Sequence, residues 1–284
     1  MTDQLTPQRV RHPLRFRLLE VCQVQRLSPH LVRITLGGDA LDGFVSLGFD
    51  DHIKLFFPDP ATGEVAVPQM GDGGPVWPDG VRPVMRDYTP RHVDLAARTL
   101  SIDFALHHPA GPATRWAEQA QVGQRLGVGG PKGSFIVPTG FDAHLLVGDD
   151  TGLPAIARRL EELPASSSAT VLIEVDGPDD RIPLPSRAAS VHVQWVYRSS
   201  PPPMPGRATS GEHEGAEDIY PLLHALRQTR LPAGTLHAWV ACESAQAKAL
   251  RAHLLTQCQL NPQWVRASAY WRRGSADAHE SLDR

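Results

Sequence analysis

The hexapeptide Arg86-Asp87-Tyr88-Thr89-Pro90-Arg91 places a fixed cation, an aromatic plane and a hydroxyl within four residues. In an extended segment residues two apart share a face, so Arg86 and Tyr88 point together while Thr89 points away or bends back. A guanidinium beside an aromatic ring suits a ligand that is both flat and phosphorylated, such as a flavin nucleotide. Read alone, the hexapeptide also describes a plain strand with a surface Arg, a packed Tyr and a terminating Pro90. A second candidate is Gly111-Pro112-Ala113-Thr114. Gly then Pro at a helix start leaves backbone N–H groups free for an anion, although Pro112 also simply begins a helix well. The run from Gly127 to Ser134 lacks the Gly-Lys-Ser/Thr order of a phosphate loop and leads into Phe135-Ile136-Val137-Pro138, not a helix. It reads as a tight bend that brings backbone close to a ligand or a neighbouring strand. Thirteen histidines raise the question of a metal. No Cys-x-x-Cys or His-Glu-x-x-His occurs, and adjacent His107 and His108 would face opposite ways on a strand, so none is expected.

The elements that must hold these groups change character along the chain. Residues 1–13 are polar and read as a frayed arm. Strand-like runs cover 15–24 and 31–36, and in 52–58 Ile53, Leu55 and Phe57 share one face, leaving Lys54 on the other with His52 and Phe56. Residues 59–82, rich in Gly, Pro and Asp, read as a long loop. From Thr99 to Leu106 the alternation sends Leu100, Ile102, Phe104 and Leu106 inward and Ser101, Asp103 and Ala105 outward. At least five strands and one helix predict a small antiparallel β-barrel.

At His144 the pattern changes. Short apolar strands over 145–147, 170–175, 191–197 and 235–241 alternate with helices, the first carrying Leu153, Ile156, Leu160 and Leu163 at helical spacing. This predicts a parallel, helix-flanked sheet. Residues 200–215 read as a Pro-rich loop. The boundary falls within 138–143, giving a barrel domain over 1–140 and an α/β domain over 141–284. Ligands of open α/β sheets sit outside the carboxyl ends of the strands, here Gly148–Gly152 and Ala241–Ser244, although the first turn lacks Gly-x-Gly-x-x-Gly.

A length of 284 residues suits two domains, and 41% apolar with 21% charged residues suits a soluble globular protein. A net charge of −3 gives no global field for nucleic acid or an anionic membrane. No apolar run reaches the ~18–20 residues of a membrane span, and the N-terminus lacks the order of a secretory signal. Three distant cysteines, Cys22, Cys242 and Cys258, fit reduced thiols and a cytoplasmic location.

Five segments, in order, resemble the siderophore-interacting protein family within the ferredoxin-reductase-like superfamily. They are the Arg86–Arg91 hexapeptide; Asp103 to His107 with Gly111 to Ala117; Gly148-Asp149-Asp150-Thr151-Gly152-Leu153-Pro154-Ala155-Ile156; Trp239-Val240-Ala241-Cys242-Glu243; and Tyr270-Trp271-Arg272-Arg273-Gly274. The resemblance implies an FAD-dependent ferric-siderophore reductase drawing electrons from NADH or NADPH. It implies that Arg86 meets the flavin phosphates, Tyr88 lies against the isoalloxazine and Thr89 bonds the ring's reactive edge. His107, Gly111, Ala113 and Thr114 then belong to the cofactor site, with the pyrophosphate at the helix start. Thr151 and Glu243 would border the nicotinamide, and the terminal Tyr-Trp-Arg-Arg segment would return to the flavin. Two departures are Cys242 and Ala269, where the family often has Gly; a thiol there would narrow the nicotinamide site.

The cofactor would carry the chemistry, so no catalytic side chain is expected: a nicotinamide gives two electrons together, whereas ferric iron accepts one. The substrate would be a bulky anionic ferric chelate, of catecholate type, which calls for a basic funnel. Lys54, Lys132, Arg272 and Arg273 are the candidate cations. Arg198 could take an NADP 2′-phosphate, and Glu174 or Asp176 an NAD ribose. No nucleic-acid or membrane partner is expected, and the protein is expected to be a monomer. Rival readings keep the fold: a flavin oxidoreductase serving a quinone or protein, or a siderophore binder without catalysis.

Overall fold

A computed structural model describes residues 5–80, 82–198, 220–275 and 280–282, so the loop read over 200–215 lies outside the described residues. The chain divides into two compact units, one over residues 6–138 with 157–159, the other over 139–156 and from Leu160 onward, with Leu5.

The first unit contains β1 (Gln8–Arg11), β2 (Phe16–Ser28), β3 (Leu31–Gly37), β4 (Ile53–Phe56), β5 (Gln69–Gly71), β6 (Gly74–Val76), β7 (Met85–Tyr88), β8 (His92–Asp94), β9 (Thr99–Ala105), α1 (Pro112–Gln119), β10 (Arg125–Gly129) and β11 (Gly133–Ile136). Seven of these strands form a curled antiparallel sheet in the order β7-β4-β10-β2-β3-β9-β8. The sheet is a half-barrel whose outer strands are β7 and β8. Leu19, Val21, Ile34, Leu36, Ile53, Leu55, Leu100 and Ile102 are at most 1% exposed and form its core, onto which α1 lays Ala113 and Ala117. β2 alternates, with Leu19 and Val21 buried and Leu18, Glu20 and Cys22 exposed.

Three sequence expectations change. The arm over 1–13 is in part a strand: β1 pairs with β11 in register from Gln8 opposite Ile136 to Arg11 opposite Gly133. The loop over 59–82 contains the hairpin of β5 and β6. Two of the three outward residues of β9 are buried, Ser101 at 9% and Asp103 at 3% exposure. Their partners come from the neighbouring strand: Thr35 and Ser101 hydroxyls lie 3.0 Å apart, and Arg33 donates twice to Asp103, at 2.6 and 2.8 Å. A bidentate guanidinium offsets the cost of burying that carboxylate. Arg91, 5% exposed, also faces Asp103. Asp103→Ala removes the buried carboxylate that both guanidiniums face and should cost about 2–3 kcal/mol, read as a lower urea midpoint.

The second unit contains β12 (Ala143–Asp149), α2 (Leu153–Glu162), β13 (Ser168–Val175), β14 (Ser190–Tyr197), α3 (Pro221–Gln228), β15 (Leu236–Glu243), α4 (Ser244–Thr256), β16 (Val265–Trp271) and β17 (Glu280–Ser281). The sheet order is β14-β13-β12-β15-β16-β17, parallel except for β17. β12 and β15 are buried along almost their whole length, as continuous apolar strands covered on both faces should be. From β12 the chain builds outward through β13 to β14, then returns to place β15 on the other side of β12. The connections therefore diverge at the carboxyl ends of β12 and β15, where such sheets bind ligands. No helix among the described residues is long and apolar enough to cross a membrane.

Candidate functional site

Strand pairing sets which way the hexapeptide faces. Arg86 lies opposite Leu55 and Tyr88 opposite Ile53, so both point to the core face of the sheet. The Tyr88 ring packs on Phe104 with centroids 4.4 Å apart, and burial raises its phenol pKa. Arg86 donates to the Met85 carbonyl at 2.6 Å and has no carboxylate partner among the described residues. Thr89 is 6% exposed, and its hydroxyl makes no hydrogen bond among the described residues. The Thr89 hydroxyl is thus open to a ligand.

The start of α1 leaves backbone donors uncapped. Gly111 precedes the helix in extended conformation (φ −76°, ψ 174°), with no side-chain cap and no acid in the first turn. The first helical bond runs from Arg115 N–H to the Gly111 carbonyl, which leaves the Ala113 and Thr114 N–H groups outside the ladder. A Cβ on Gly111 would meet nothing within 4 Å, so the approach is open. Ala113 and Thr114 bury their side chains, while His107 is exposed in the connector between β9 and α1. A cation without a counter-ion, a ring, an unpartnered hydroxyl and an uncapped helix start fit a flat dinucleotide such as FAD.

Lys54 points the other way. It pairs with Asp87 across β4 and β7 at 2.9 Å, on the face opposite Arg86 and Tyr88. That face carries a cavity of about 240 Å³ lined in part by Lys54, Arg82, Lys132, Phe56, Trp77 and Met85. Phe56 meets Trp77 edge-on at 5.4 Å. Gly129, opposite Lys54 in the ladder, permits this floor: a Cβ there would stand 2.8 Å from the Phe56 ring. The structure therefore brings Lys54 and Lys132 together and adds Arg82 and Trp77, which sequence reasoning missed. Those two lie in a stretch with no periodicity to mark them.

In the α/β unit, the turn after β12 approaches β15 closely, and Gly152 allows this: a Cβ would lie 2.6 Å from the Ala241 carbonyl oxygen. Asp149, 1% exposed, accepts four hydrogen bonds. One carboxylate oxygen takes the Thr151 N–H at 3.0 Å and hydroxyl at 2.5 Å. The other takes the Glu243 N–H at 3.2 Å and the Trp271 indole Nε1–H at 2.7 Å. Burial, then the neighbouring Asp150, push the Asp149 pKa up to about 6 against the pull of these donors and Arg198. Glu243 is equally committed, since it accepts from Ala245 N and Gln246 N to cap α4 and from Arg273 N at 3.3 Å. Thr151 and Glu243 thus frame the crevice with side chains already engaged.

Cys242 does not narrow that crevice. It is fully buried in the cluster containing Val240, Ala247 and Leu250, and burial raises its thiol pKa well above the ordinary value. Arg198 is bound by three carboxylates, Asp150 at 2.7 Å, Asp176 at 2.8 Å and Glu174 at 2.9 Å. A 2′-phosphate would have to compete with them. Arg272 and Arg273 are exposed just past β16, with Arg272 3.7 Å from Glu280.

A half-barrel followed by a mostly parallel sheet is the ferredoxin-reductase-like fold. The fold is shared, at TM-score 0.61 and 15% identity over 89% of this chain and 67% of the other, with the ferredoxin reductase in carbazole 1,9a-dioxygenase. Residues 20–135 match a siderophore-interacting FAD-binding domain and residues 141–274 match siderophore-interacting protein. The NADPH-dependent ferric-chelate reductase of Escherichia coli (strain K12) is 40% identical over 270 residues, 93% of this chain and 96% of that one. A siderophore utilization protein from T. fusca superposes with TM-score 0.82 at 38% identity, covering 96% of this chain and 98% of the other. The chain belongs to the siderophore-interacting protein family.

Proposed function

We propose that this protein reduces ferric siderophores with electrons that a reduced nicotinamide nucleotide delivers through FAD. The observation that carries the substrate half of this reading is the cavity where Lys54, Arg82 and Lys132 surround Phe56 and Trp77. Its lining residues include three cations and no carboxylate, and Asp87 pairs with Lys54 beside it, which leaves a positive surplus. The aromatic floor suits planar rings, which together favour an anionic catecholate chelate. Similarity to the E. coli NADPH-dependent ferric-chelate reductase supports a ferric chelate as the substrate.

FAD supplies the conversion between a two-electron donor and a one-electron acceptor. The chain's residues hold and orient. Arg86 and the α1 start take the phosphates, Tyr88 offers its ring, Thr89 its hydroxyl, and His107 flanks the same connector. Thr151 and Glu243 frame the nicotinamide site, and Arg272 and Arg273 add positive charge for the chelate. The described cysteines are free thiols, as suits a reducing cytoplasm where ferrous iron is released.

Electron balance gives the test. One hydride carries two electrons, so each nucleotide oxidised should reduce two ferric chelates. Under nitrogen, the yellow protein should bleach with NADH or NADPH and recolour on adding a ferric catecholate, with two ferrous ions trapped per nucleotide consumed. A colourless protein that does not bleach would instead be a binder. Bleaching with recolouring only by a quinone would give the rival oxidoreductase reading.

A further inference from the structure

We propose that Asp149 is a positioning residue for the reduced nicotinamide nucleotide, fixing the backbone at Thr151 and Glu243 and the Trp271 ring around the crevice. The inference rests on the reading that this crevice receives the nucleotide. Its basis is topological. Asp149 ends β12, Glu243 ends β15 and Trp271 ends β16, and the connections diverge between β12 and β15. One carboxylate at that point holds one donor pair from its own turn and another from residues 94 and 122 positions away. Glu243 extends the hold, because its own carboxylate reaches the Arg273 N–H. The two acids together fix the Trp271–Arg273 segment relative to the β12 turn.

A fully charged carboxylate suits four donors. Once protonated, one oxygen becomes a donor itself and one pair of contacts is weakened. The groups that face Asp149 act in known directions. Trp271, Thr151 and Arg198 favour its charged form and Asp150 opposes it. Glu174 is bonded to Arg198, and Cys242 lies buried behind with its thiol protonated. A site organised in this way should lose nucleotide affinity as pH falls through about 6.

The experiment measures KM and kcat for whichever nicotinamide bleaches the wild type, from pH 5 to 8, on FAD-loaded protein. Asp149→Asn is expected to raise KM about 10-fold with a smaller change in kcat, and to remove the rise of KM at low pH. Trp271→Phe should move the midpoint of that rise upward, and Asp150→Asn should move it downward. These two variants keep the test decisive if Asp149→Asn does not fold. Wild-type KM and pH dependence in Asp149→Asn, or an unmoved midpoint in the other two, would overturn the proposal. Failure of the wild type to bleach with either nucleotide would instead overturn the reading on which it rests.

Discussion

Purified Arg86→Ala is expected to emerge pale, with FAD affinity lowered about 10- to 100-fold, the worth of charged hydrogen bonds to a phosphate. Lys54 has Asp87, Arg33 has Asp103 and Arg198 has three acids, whereas among the described residues Arg86 meets only the Met85 carbonyl. A half-buried cation without an anion is costly unless a ligand supplies one. Arg86→Lys keeps the charge but loses the planar fork, so its affinity should fall between wild type and Ala. Gly111→Ala checks the second anchor. Its methyl meets nothing in the protein, so stability should hold while flavin affinity drops. Full yellow colour and unchanged FAD titration in Arg86→Ala would remove Arg86 from the site.

The second large effect concerns charge in the aromatic cavity. Lys54→Ala combined with Lys132→Ala should raise KM for an anionic ferric chelate about 10-fold or more at low salt, with less effect at high salt. A neutral chelate should respond much less. Asp87 gives the opposite sign. It holds Lys54 at 2.9 Å and offsets its charge, so Asp87→Asn should lower KM for the anionic chelate by about threefold. A purely structural role for these residues would not give opposite signs. Equal effects on charged and neutral chelates would place substrate elsewhere.

Much of this was legible along the chain, for stateable reasons. A period of two put Arg86 and Tyr88 on one face and Lys54 opposite Ile53 and Leu55, and the pairing of β4 with β7 has the same arrangement. The change at His144 from alternating to continuously apolar strands marked the second sheet. Asp103 shows where periodicity failed: alternation sent it to solvent, but Arg33, 70 residues away, makes its burial tolerable. Asp149 was visible only as part of a strand-end turn, because Glu243 and Trp271 reach it through sheet order and not through local spacing. Trp77 and Arg82 fall among Pro and Gly, where no pattern assigns a face. That Lys132 joins Lys54 depends on the β10–β4 ladder, which sets Gly129 opposite Lys54.

The ribbon of β4 and β7 is also a partition. Arg86 and Tyr88 belong to one side, Lys54 and Asp87 to the other, and β7 is an outer strand of its sheet. Dinucleotide and iron chelate would then occupy separate faces and not compete for one volume. Occupancy of either would be set independently of the other, so the flavin could stay resident through many turnovers while bulky chelates of different shapes come and go.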